Sequence, residues 1–125
     1  MITIFAVMEL NVEELRCFCL SLGDDVEEKL PFAKFHGGGD VLVFYVCGHM
    51  FCYYDLVHFS VVSVKCQPER IEELRAGEVG IIDPFNMNPR HWVGLDVQTV
   101  SPHLAYELVE NSYNIVKKKY TKKKR

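Results

Sequence analysis

Val41-Leu42-Val43-Phe44-Tyr45-Val46, then Cys47-Gly48-His49, then Met50-Phe51-Cys52-Tyr53-Tyr54-Asp55-Leu56 is the stretch on which the fold turns. Two runs of β-branched and aromatic residues flank a short connection whose glycine tolerates positive φ, the pattern of an antiparallel hairpin. A third run, Phe59 to Cys66, follows at once. With side chains alternating at a period of two, it places Val62, Val64 and Cys66 on the buried face, with Val61, Ser63 and Lys65 on the other. Upstream, Phe32 to His36 is expected to add an edge strand, turned into Asp40 by Gly37-Gly38-Gly39. The acidic stretch Asp24 to Glu28, with Pro31 after it, reads as a loop.

Helices bracket these strands. Asn11 precedes Glu14 by three residues, and Val12, Leu15, Cys19 and Leu22 recur at helical spacing, so a capped amphipathic helix is expected from about Asn11 to Leu22. Pro68-Glu69-Arg70 opens a second short helix that reaches Ala76, with proline pre-set for the first turn. His91 to Val97 alternates as a strand, with Trp92, Gly94 and Asp96 on the face opposite Val93 and Leu95. Ser101-Pro102 caps and starts a last helix whose stripe is Leu104, Leu108, Ser112 and Ile115. The predicted fold class is α+β, an antiparallel sheet of four to five strands packed on helices.

The chain has 125 residues, 49% hydrophobic and 25% charged, enough for one core and little more. Five cysteines without regular spacing argue against a disulfide framework and for reduced thiols in the cytoplasm. Met1 to Leu10 lacks the basic start and cleavage site of a leader, and no apolar run is long enough to span a bilayer, so neither export nor membrane insertion is expected. Met8 is an alternative to Met1 as the biological start.

Charge is unevenly spread. Residues 1–116 carry seven bases against seventeen acids, whereas Lys117, Lys118, Lys119, Lys122, Lys123, Lys124 and Arg125 crowd the last nine positions. A polyanion is repelled by the body and attracted by this tail, where each phosphate contact makes binding more salt-dependent. The tail beyond Val116 is expected to fray past its last helical turn.

Two segments combine polar, aromatic and turn residues beyond the needs of a core: Lys65-Cys66-Gln67-Pro68-Glu69-Arg70 and Asn86-Met87-Asn88-Pro89-Arg90-His91-Trp92. On these, and on the Val12-Glu13-Glu14-Leu15-Arg16 helix, the Pro31-Phe32 loop, the hairpin and Ser112-Tyr113, the chain resembles the MmcQ/YjbR family. That resemblance implies a fold close to that of type III secretion chaperones, and a proposed DNA-binding role through paired strand wings. It divides the chain into an extension at 1–10, a single domain at 11–116 and the basic tail at 117–125.

Two functional readings follow. The first is a non-enzymatic binding module that contacts nucleic acid through the tail and wings, or a protein through the open sheet face, with Lys65 beside an exposed Trp92 as its recognition patch. The second is a small-ligand protein or enzyme with a pocket built from Lys65, Glu69, Arg90 and His91 where the two segments meet; Asn88 and Trp92 complete the candidate binding residues. The two part on whether Lys65 and His91 share one concavity. Cys47, His49 and Cys52 provide thiolate and imidazole but no fourth ligand at zinc spacing, and no glycine-rich phosphate motif is present, so neither a metal nor a cofactor is expected.

Overall fold

A computed structural model describes residues 10–121. In chain order the elements are α1 (Val12–Ser21), β1 (Glu27–Lys29), β2 (Val41–Val46), β3 (His49–Asp55), β4 (Val61–Lys65), α2 (Pro68–Gly77), β5 (Ile81–Ile82), β6 (Trp92–Asp96) and α3 (Pro102–Thr121). The strands form one antiparallel sheet in the order β1-β2-β3-β4-β6-β5. The fold is α+β, with six strands where four to five were expected.

The helices start where their caps dictate. Asn11 accepts a hydrogen bond from the Glu14 N–H at 2.8 Å, and the Ser101 hydroxyl accepts from Leu104 N–H at 3.4 Å with Pro102 as the first helical residue. The β2–β3 hairpin turns on Cys47 and Gly48, both at positive φ (54° and 78°), a two-residue turn whose twist matches that of the strands.

The edge strand is not where the sequence placed it. Phe32 to His36 forms turns, and β1 lies instead in the acidic stretch that read as a loop, pairing Glu27, Glu28 and Lys29 with Tyr45, Phe44 and Val43. Charge there is compatible with a strand because it is answered locally. Arg16 of α1 grips Glu28 through Nε at 2.7 Å and Nη2 at 2.6 Å, and charged side chains are common on exposed edges.

One face of the sheet carries α1 and α3. Leu42, Phe44, Phe51, Val62, Val64 and Leu95 point into this layer and meet Leu15, Leu108 and Val109, all buried. At the middle of the sheet the β2–β3 register slips between Phe44 and Tyr45, leaving Phe51 as an extra residue on β3. The β3–β4 ladder is interrupted at the same level. The hydroxyl of Ser112 fills the gap: it accepts from the Lys65 N–H at 2.8 Å and donates to the Phe51 carbonyl. A serine within an otherwise apolar helical stripe is thereby fully buried and satisfied on both sides.

The C-terminal helix is further tied to the loop after α1. Tyr113 donates to Asp25 Oδ1 at 2.9 Å, while Lys117 lies 2.9 Å from Asp25 Oδ2 and 3.2 Å from the Tyr113 hydroxyl. The Lys117 ammonium and the tyrosine hydroxyl hold the Asp25 carboxyl below the usual carboxylate range. A depressed folded-state value stabilises the fold above the unfolded carboxylate range, and the contribution fades as pH falls through the folded value. Asp25→Asn is therefore expected to be less stable than the parent at neutral pH, with the gap closing toward pH 2. Chemical denaturation at a series of acidic pH values measures it, and a constant gap would contradict the assignment.

Candidate functional site

The face of the sheet away from α1 and α3 is not bare. Its central row is Val43, Tyr53, Ser63 and Gly94, register partners across β2, β3, β4 and β6. The segment from Asp83 to His91 crosses this row, anchored by the buried Pro84. The Tyr53 hydroxyl donates to the Phe85 carbonyl, and the Phe85 N–H donates to Ser63 Oγ at 3.2 Å. Ser63, assigned by alternation to solvent, is consequently buried. Gly94 makes the crossing feasible, because a Cβ at this position would overlap the Asp83 backbone carbonyl.

Trp92 lies on this face, as alternation predicts, but its indole is not an exposed patch. It retains only 7% of its accessible surface. The ring stands edge-on to Tyr53 with centroids 5.7 Å apart, and Lys65, its partner across the strands, places Nζ 5.8 Å from the ring centroid. Alternation fixes the face of a strand residue. It is blind to an irregular segment laid over that face.

Where the crossing segment returns to the sheet, a cleft of about 350 Å³ opens, within the range of small-molecule sites. Lys65, Gln67, Asn88, His91, Trp92 and Lys119 line it. Lys65 and His91 thus share one concavity. Main-chain bonds fix the frame: the Asn88 carbonyl accepts from His91 N–H at 3.1 Å and Trp92 N–H at 3.0 Å, and Cys66 N–H donates to the His91 carbonyl at 3.0 Å. Gln67 is held by Asn111, its Oε1 accepting from Asn111 Nδ2 at 3.0 Å and its Nε2 donating to Asn111 Oδ1 at 3.3 Å. Cys66 also borders the cleft, and burial pushes its thiol up, which keeps it protonated rather than a thiolate nucleophile.

Of the six candidate binding residues, Lys65, Asn88, His91 and Trp92 line the cleft, whereas Glu69 and Arg90, two of the four expected to build a pocket, do not. Glu69 is exposed in the first turn of α2. Arg90 is also exposed, and its backbone N–H is spent on Asn88 Oδ1 at 2.9 Å. Arg70, which follows Glu69, is engaged by Glu107 through two bonds of 3.0 and 2.6 Å.

Sequence reasoning missed Lys119 as a cleft residue because it was grouped with the tail. The helical stripe Leu108, Ser112, Ile115 extends to Lys119 four residues on, a signal that was available. α3 continues through Thr121, so Lys117, Lys118 and Lys119 are helical. Lys122, Lys123, Lys124 and Arg125 lie outside the described residues, as does all of the 1–10 extension except Leu10. The potential metal ligands diverge: Cys52 is buried in the helix-facing core, His49 stacks on Tyr120 at 3.5 Å, and Cys47 sits at the exposed turn. No helix among the described residues is long and apolar enough to cross a membrane.

An open antiparallel sheet with α1 and α3 on one face, and a cation-lined cleft where the crossing segment and the end of β4 meet α3, defines the class of this molecule. The YjbR family model matches residues 20–115, and the chain belongs to that family. The crystal structure of Deinococcus radiodurans protein DR2400, which carries a DUF419 domain, is 32% identical over 93% of this chain and 85% of that one, with a TM-score of 0.79. A Pseudomonas syringae protein shares the fold at 20% identity, with a TM-score of 0.70 over 86% of this chain and 99% of that one. No protein of curated function matches the chain.

Proposed function

We propose that this YjbR-family chain is a non-enzymatic binding protein whose cleft takes a small anion, and that it works in the reducing cytoplasm, where its five unpaired cysteines are at home. The carrying observation is the convergence of Lys65, His91, Asn88 and Lys119 on one depression beside a buried indole. Two ammonium groups supply charge, while the amide and imidazole supply directional donors, the combination that recognises a phosphate or carboxylate. The low-exposure Trp92 ring beneath Lys65 restrains the ammonium without neutralising it. Glu69 stands outside the cleft, which leaves the lining cationic and amide-rich rather than paired for acid–base work.

Nucleic-acid contact through the basic end is the second reading. It is favoured by exposed Lys118 next to the cleft residue Lys119, while Lys117 is engaged by Asp25. One titration separates the two. By calorimetry at low ionic strength with inorganic phosphate, Lys65→Met is expected to weaken binding about tenfold, the size of one charge-assisted hydrogen bond. Truncation after Thr121, which keeps α3 whole, is expected to leave phosphate affinity unchanged. Loss of affinity on truncation, with Lys65→Met neutral, would transfer the function to the tail.

A further inference from the structure

A second depression, of about 390 Å³, lies on the sheet face away from α1 and α3 and has a different chemistry. Tyr53 and Met50 line it from the sheet, Phe32 and Phe35 from the loop before β2, and Phe85 and Met87 from the crossing segment. Phe35 and Phe85 are 65% and 63% exposed, so two apolar rings stand at its mouth in contact with solvent. Its lining shares no residue with that of the cation-lined cleft but is linked to it at two points. Met87 borders one and the next residue, Asn88, borders the other; Tyr53 borders one and Trp92, in ring contact with it, the other.

We infer that the two depressions form one bipartite site for a planar aromatic carboxylate, its ring among Phe35, Tyr53, Phe85 and Met87 and its carboxylate toward Lys65 and His91. This rests on the anion-binding reading of the cleft and extends it to a ligand class. The juxtaposition selects for a ligand that is apolar at one end and anionic at the other. Aromatic edges and thioethers contact a flat ring more favourably than they do a saturated chain. Charge complementarity sets its orientation, because the lysines are at one end only.

The test uses 2-naphthoate, acetate, 2-naphthamide and inorganic phosphate, titrated calorimetrically into the full-length chain. Naphthoate is expected to bind at least tenfold more tightly than acetate or naphthamide. Lys65→Met should weaken naphthoate about tenfold and leave naphthamide unchanged. Phe85→Ser should weaken naphthoate about tenfold and leave phosphate unchanged, since the loop is held by the Phe85 backbone rather than its ring; Phe35→Ser provides an independent check. If naphthoate binds no better than acetate while phosphate remains Lys65-dependent, the anion cleft stands and the bipartite site falls. If naphthoate binds tightly but ignores Lys65→Met, the depressions are separate sites and the inference is overturned. If neither phosphate nor naphthoate binds, both readings fail.

Discussion

Replacing Ser112 with alanine is expected to lower stability by about 2–6 kcal/mol, an effect far beyond that of a surface serine. The hydroxyl is fully buried and has two partners, the Lys65 N–H and the Phe51 carbonyl, neither of which has a ladder partner at the bulge. Alanine leaves both groups desolvated and unpaired, at about 1–3 kcal/mol each. Ser112→Thr retains the hydroxyl and isolates the hydrogen bonds from the volume of the site. Urea denaturation reads the difference; a loss below about 1 kcal/mol for alanine would mean that water replaces the hydroxyl. Lys65 owes its backbone position to this bond, so phosphate affinity should fall with stability.

Gly94→Val is expected to do comparable damage from the opposite face. A Cβ overlaps the Asp83 carbonyl and comes within 3.1 Å of Ile82 Cγ1, so the crossing segment must lift. Overpacking of this kind costs about 1–3 kcal/mol, and loss of the Tyr53 and Ser63 bonds to Phe85 adds to it. The single tryptophan, Trp92, reports the change directly. Its emission should move to longer wavelength and become quenchable by acrylamide, and phosphate affinity should fall because Asn88 and His91 belong to the displaced segment. An unchanged emission spectrum would show that the segment does not depend on the glycine.

Elements with a strong periodic or capping signal were legible in the sequence: the Val41 to Leu56 hairpin, α1 behind Asn11, and α3 behind Ser101-Pro102. β1 was not, because Glu27, Glu28 and Lys29 have strand propensity only once Arg16 of α1 and the edge of β2 receive them. Nor could alternation reveal the Phe51 bulge, a one-residue event whose compensation comes from Ser112, 61 residues away. Cleft residues close in sequence, Lys65 with Gln67 and Asn88 with His91 and Trp92, were recognisable as segments. Their directions were not: Glu69 and Arg90 share those segments yet turn outward, and Lys119 arrives from a helix whose length the tail's composition concealed.

The cleft itself is tested most directly by following backbone and side-chain NMR signals during a phosphate titration at low ionic strength. Binding there predicts saturable shifts at the Trp92 indole N–H, the His91 ring, and the amides of Asn88 and Lys65. Shifts confined to residues from Lys117 onward, with the Trp92 and His91 signals unmoved, would contradict it.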